Sequence, residues 1–161
     1  VAAHFAERAR ACGADVSLAF ALPERLPLPE ADFCMAMANL LENAVEACER
    51  TERGEGGAGG RGSTAQDGAR PLFVDAEARI EGNAVLVSVR NSCTPSDARA
   101  LAAAAPDGVL SSGARSAKRE GDGIGLASVA TLAKRYRGEV QVEIDEYAAT
   151  IRVLLFAGDA R

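Results

Sequence analysis

The sequence predicts an α+β fold: a two-layer sandwich in which one mixed, mostly antiparallel sheet carries helices on one face. Two long stretches, 30–50 and 123–136, repeat apolar residues at helical spacing. Shorter stretches alternate apolar with polar residues, and two pairs of them flank tight-turn sequences. The composition agrees, since 161 residues with 48% hydrophobic and 25% charged side chains suit one soluble domain with a single core.

Residues 1–12 read as the end of a helix, with Ala2, Phe5, Ala6 and Ala9 on one side and Gly13 as its stop. The first residue is Val1 rather than Met, so this segment is expected to be the tail of an upstream helix or linker in a longer protein. The domain itself is then expected over 13–161. Asp15 to Leu22 (DVSLAFAL) alternates as a strand with Val16, Leu18 and Phe20 on one face. Three prolines at 23, 27 and 29 make the next stretch a connector. From Glu30 to Arg50, Phe33, Met37, Leu40, Leu41, Ala44 and Cys48 form one apolar helical face. Cys34 and Cys48 fall within that pattern and are expected to be small core residues.

Composition then breaks. Residues 53–70 hold seven of the 16 glycines and no large apolar side chain. Such a segment buries too little surface to offset its ordering entropy, so a mobile surface loop is expected. Residues 71–80 and 84–90 flank Glu81–Gly82–Asn83 as a hairpin. Residues 92–122 are polar and glycine-containing around a short Ala-rich helix, Ser96 to Ala105. Glycines open the second long helix, 123–136, and 139–144 with 149–156 close the chain as a hairpin around Asp145–Glu146–Tyr147.

Charge and cysteine usage exclude several classes. Eighteen basic against 23 acidic side chains give a net charge of −5, which argues against a nucleic-acid surface. Only the basic pairs at 118–119 and 134–135 offer local positive charge. No apolar run approaches the roughly 18–20 residues of a membrane span, and the charged N-terminal stretch has no signal core. No membrane contact by this domain is therefore expected. The four cysteines at 12, 34, 48 and 93 form no CxxC pair, so free thiols in a reducing cytoplasm are expected rather than zinc or disulfides.

Three features carry chemistry. On the first long helix Asn39, Asn43 and Glu46 share a face about 140° from the apolar one. Asn is a poor helix former, so this face is either solvated or projects amide oxygens into a polar site that takes a metal or its waters. Gly121–Asp122–Gly123–Ile124–Gly125–Leu126 stands where a loop runs into a helix. It is either a flexible helix start or a place where free N–H groups meet phosphate. Asn91 follows an alternating strand (VSVRNSC) and is either a turn residue or a side chain aimed at a bound ring.

Taken together, NLLENAVEA (39–47), a strand ending VRNS, and GDGIGL before a helix running to KRYRG resemble the nucleotide-binding domain of the GHKL ATPase/kinase superfamily. Within it the chain is similar to the ATP-binding catalytic domain (HATPase_c) of sensor histidine kinases, in particular the peptide-sensing quorum kinases. The resemblance spans about 12–156 and implies a Bergerat fold. It also implies that Asn43 coordinates Mg²⁺ on the triphosphate of ATP and that Asn39 lines the same phosphate site. Asn91 would replace the adenine-reading Asp of most relatives, because its Oδ1 accepts a hydrogen bond as a carboxylate does. Residues 92–122 would form the ATP lid, with Lys118 on phosphate. Gly121, Gly123 and Gly125, followed by Leu126, would bring backbone N–H groups to phosphate.

Two departures bear on activity. Cys93 stands where the family usually has glycine, which implies a looser adenine end. Asn39 stands where hydrolytic members carry a water-activating Glu, and Asn is no general base. Glu42 is rotated about 100° from Asn43 and is not given that role. No catalytic residue is assigned. The implied activity is phosphoryl transfer to a histidine on an upstream dimerisation and phosphoacceptor hairpin, then to a response regulator. The setting implied is the cytoplasmic side of a membrane-anchored sensor. His4 is the sole histidine and is expected to be an exposed residue at a frayed helix end, with the acceptor lying farther upstream. An anti-sigma-type serine protein kinase and a degenerate nucleotide-binding scaffold are the alternatives.

Overall fold

The computed structural model describes residues 2–52, 71–110, 124–145 and 147–158. The elements follow the order α1 (Ala2–Ala11), β1 (Asp15–Ala21), α2 (Glu30–Glu52), β2 (Phe73–Glu81), β3 (Ala84–Ser92), α3 (Pro95–Ala104), α4 (Ile124–Arg135), β4 (Glu139–Ile144) and β5 (Ala148–Phe156). The five strands form one sheet in the order β1-β2-β3-β5-β4. Among the described residues only β1 and β2 run parallel, and every other neighbouring pair is antiparallel. The 53–70 loop and the stretch 111–123 lie outside the described residues.

Alternation in the strands decides which face is covered. Val74, Ala76 and Ala78 of β2, Val85, Val87 and Val89 of β3, and Ile151, Val153 and Leu155 of β5 are buried on one side. They share a core with Met37, Leu40, Leu41, Ala44, Val45 and Cys48 of α2 and with Val129, Leu132 and Ala133 of α4. The opposite face is charged, and the exposed pairs Arg90–Asp145 (3.1 Å) and Arg152–Glu143 (2.7 Å) lie across it. Exposed pairs of this kind add little stability. Helices therefore cover one face, as the sequence predicts.

One expectation about the core fails, at Cys34, and one apolar strand residue stays in solvent. Phe20 remains 41% exposed although it alternates in phase with Val16 and Leu18. It sits at the far end of β1, which among the described strands pairs with β2 alone. Cys34 is exposed, whereas Cys48 is fully buried. The reason is position, because full burial along α2 begins only at Ala36, nearly two turns after the helix has started.

The start of α2 is fastened to the end of α4 through Asp32. Its carboxylate accepts from the Tyr136 hydroxyl at 2.5 Å and also pairs with Arg135. The Tyr136 hydrogen bond and then the Arg135 charge hold the Asp32 carboxyl below its usual range, against the opposing effect of burial. A depressed carboxyl contributes stability above its unfolded pKa near 3.9, and that contribution fades as pH falls through the lower folded value. Tyr136→Phe is expected to lose about 1 kcal/mol at pH 7, the low end for a hydrogen bond to a partly solvated charge. Urea unfolding at pH 7 and at about pH 3 measures both effects, and the gap between the two proteins should narrow in acid.

Candidate functional site

The middle of α2 meets the start of α4 at Gly125, and farther along α2 Ala47 meets Cys93 just past the end of β3. Gly125, in the first turn of α4, supplies the closest measure of the first approach. A Cβ built on Gly125 would lie 3.2 Å from Asn43 Nδ2 and 3.3 Å from Asn39 Oδ1. Any larger residue would push into the two amides, so glycine here lets the helix start reach the polar face of α2. That face is thereby opposed by a helix N-terminus, with its free N–H groups and positive dipole end. Leu126, the next residue, is half-buried against the main core.

The two asparagines are not equivalent. Asn43 Nδ2 donates to the Asn39 backbone carbonyl at 2.6 Å, within one helical turn. Rotating the amide by 180° would set oxygen against oxygen, so this bond fixes its orientation and keeps Oδ1 as the amide's acceptor atom. An amide oxygen of that kind is a hard ligand suited to Mg²⁺, which is normally held by few protein oxygens together with substrate phosphates. Among the described residues no group of three or more His, Cys, Asp or Glu side chains could hold a metal without such help.

Asn91 is placed differently from the sequence expectation of a residue just past its strand. It lies inside β3, paired with Val74 of β2 and Ala149 of β5, and is 5% exposed. It follows Val85, Val87 and Val89 in phase, so it points to the helical side of the sheet. Its Nδ2 donates to the Ser92 carbonyl at 2.9 Å, which again makes Oδ1 the available acceptor.

Cys93 fills a small buried cluster with Ala47 of α2 and Ala149 of β5, flanked by Ala98 and Leu101 of α3. Burial, with Asp97 and Asp145 adding to it, raises the Cys93 thiol to about 11. Burial likewise raises Cys48 to about 12. Both thiols stay protonated at neutral pH and serve as packing rather than as ligands or nucleophiles.

Glu42 is engaged elsewhere, accepting from Arg8 of α1 at 2.7 Å, with Arg8 also reaching Glu49 at 3.2 Å. It is therefore turned away from Asn43, as its helical phase predicts. His4 is exposed on α1, edge-on to Phe5 at 5.5 Å between ring centroids. Lys118, Gly121 and Gly123 lie outside the described residues. Of the expected lid, 92–110 is described and is well held. Leu110 is buried, its N–H donates to Val140 at 2.8 Å, and the Gly108 carbonyl accepts from Val142 at 2.7 Å.

Three participants escaped the sequence reading: Arg50, Thr94 and Asp97. Thr94 caps α3, with Pro95 at the first helical position and Asp97 closing a capping box. The string TPSD carried that signal.

The fold is similar to that of solved structures of histidine kinases. Full-length ShkA in complex with AMPPNP matches with a TM-score of 0.58 and 23% identity over 99% of this chain. A histidine kinase from Burkholderia phymatum matches at 0.60 and 16% identity over 98%, and the nucleotide-free catalytic domain of histidine kinase ThkA at 0.62 and 18% over 96%. The chain spans 29% of the ShkA chain and 66% of the Burkholderia chain, and 86% of the ThkA domain. At these identities the likeness is one of fold. No curated protein matches. The family model of the GHKL domain matches residues 64–156, more than half of the sequence, and the chain belongs to that family.

Proposed function

We propose that this domain binds ATP with Mg²⁺ and presents it for phosphoryl transfer to a histidine on a separate helical hairpin, as the catalytic domain of a two-component sensor histidine kinase. The observation that carries the reading is the approach of Gly125 to Asn39 and Asn43, which sets the N-terminal turn of α4 against the amide face of α2. The GHKL family and the fold shared with an AMPPNP-bound histidine kinase support it.

In this reading Asn43 Oδ1 holds Mg²⁺ and Asn39 lines the phosphate site. Mg²⁺, when bound, neutralises charge spread over the triphosphate. The start of α4 receives phosphate oxygens through backbone N–H groups, with Lys118 and the glycines at 121 and 123 as further contacts. Asn91 Oδ1 accepts from the adenine amino group. The asparagines cannot take a proton from water, and Glu42 is held by Arg8, so transfer to a side chain is favoured over hydrolysis. The acceptor hairpin and the dimerisation helices belong to the longer protein, anchored with this domain on the cytoplasmic side, and a response regulator is the partner that then takes the phosphoryl group. Among the described residues no helix is long and apolar enough to cross a membrane.

Calorimetry of ADP binding with and without Mg²⁺, on wild type and Asn43→Ala, tests the metal role. The wild type is expected to bind about tenfold tighter with Mg²⁺, and the variant is expected to lose that difference. Equal affinity in all four conditions would remove Asn43 from the site. Phosphotransfer from ATP to a supplied His-bearing hairpin tests the kinase step. Binding without transfer would indicate a scaffold, and transfer to a partner's serine would indicate an anti-sigma-type kinase.

A further inference from the structure

The polar face of α2 continues beyond Asn43 to Glu46 and then Arg50. Arg50 Nη1 lies 3.6 Å from Glu46, and its Nε donates to Asp97 Oδ1 of α3 at 3.1 Å. The Asp97 side chain is 10% exposed, and its other oxygen accepts from the Thr94 hydroxyl at 2.8 Å and the Thr94 N–H at 3.3 Å. One carboxylate thus closes the α3 capping box and grips α2. Thr94 stands three residues after Asn91, and Cys93 between them is wedged among Ala47, Ala149, Ala98 and Leu101. Ser92, whose carbonyl orients the Asn91 amide, is itself fixed by a bond from the Phe73 N–H to its hydroxyl at 3.0 Å. We propose that Arg50 is a positioning residue for the nucleotide site: through Asp97 it holds α3 against α2, and so holds the 91–94 backbone that aims Asn91. The proposal rests on the nucleotide-binding reading above.

The physical argument is that a nearly buried carboxylate needs its cation. Without the guanidinium, Asp97 carries an uncompensated charge, and the least costly relief is to move α3 outward into water. Cys93 and the Ser92 carbonyl move with it, and the Asn91 amide loses its fixed orientation. Asn43, two turns before Arg50 along α2, and Gly125 are not tied to α3 by this ion pair and are left in place. Arg50 therefore acts on base recognition rather than on the metal.

The test is ADP and GDP affinity, with and without Mg²⁺, for the wild type, Arg50→Met, Arg50→Lys, Asp97→Asn and the Arg50→Met/Asp97→Asn double variant. Arg50→Met is expected to weaken ADP about tenfold, by the same factor with and without Mg²⁺, and to narrow the preference for ADP over GDP. A change that only lowered stability would not alter base preference. Arg50→Lys should recover part of the loss by keeping the charge. The double variant should lose no more than the weaker-binding single, because both changes break one link. An Arg50→Met affinity and base preference within about twofold of wild type would overturn the proposal, as would a loss confined to Mg²⁺-containing buffer. Should Arg50→Met fail to fold, Asp97→Asn, which keeps an acceptor for the capping box, decides by the same criteria. A wild type that binds no ADP would overturn the nucleotide-binding reading itself, and this proposal with it.

Discussion

Gly138→Ala is expected to destabilise the domain by about 3 kcal/mol or more, the upper end of what overpacking costs. A Cβ at this position would lie 1.7 Å from the Leu154 carbonyl oxygen and 2.6 Å from its carbon, and those atoms are backbone within the β4–β5 pairing. The end of α4 explains why glycine is needed here rather than one residue earlier. The Gly138 N–H donates to Ala133 and the Arg137 N–H to Lys134, the paired bonds of a Schellman helix end. That motif ordinarily places glycine in the left-handed position, yet Arg137 occupies it with φ 54°. The chain accepts a left-handed Arg, a strain of roughly 1–2 kcal/mol, and keeps its glycine for the contact with β5. Chemical denaturation gives the comparison, with Gly158→Ala as control, because a Cβ at 158 meets nothing within 4 Å. A Gly138→Ala protein as stable as the Gly158→Ala control would mean that the turn yields freely. The effect should reach the site, since displacing a rigid 12-residue α4 at its C-terminal end also shifts Gly125 in its first turn.

The glycine preceding β4 could be read in the sequence as a helix stop, but its contact with Leu154 could not, because that contact depends on strand pairing. The same division runs through the molecule. Periodicity located α2 and α4, and the alternation of valines located β3, since a buried face leaves a regular imprint. Phe20 broke the rule because alternation gives the phase of a strand but not which strands flank it. Cys34 broke it because helical phase does not say where along α2 cover begins. At the site, Asn39 and Asn43 stood out as residues with no local reason to be in a helix. The bond from Asn43 Nδ2 to the Asn39 carbonyl, which fixes the orientation of the amide, follows only from the folded backbone. Arg50 and Asp97 are 47 residues apart, and no local pattern links them.

Asn91→Ala is expected to weaken ATP by about 5–150-fold, the equivalent of roughly 1–3 kcal/mol for one hydrogen bond lost at a buried site. The direction follows from which atom of the amide is free to act. With Nδ2 given to the Ser92 carbonyl, Asn91 offers an acceptor on the helical side of the sheet. An acceptor there pairs with the adenine 6-amino group and repels the carbonyl that guanine carries at the same position, so the preference for ATP over GTP should shrink in the variant. Asn91→Asp keeps an acceptor while giving up the bond to Ser92, and should retain the adenine preference with weaker binding. The pair of variants separates base reading from local packing. Packing alone would make both lose affinity for ATP and GTP alike, whereas base reading requires selectivity to survive in Asp and fall in Ala. Competition of ATP and GTP for a fluorescent ADP analogue measures all three proteins in one assay. If the alanine variant binds ATP as tightly as wild type, the base does not lie against β3, and the role given to Asn91 is wrong.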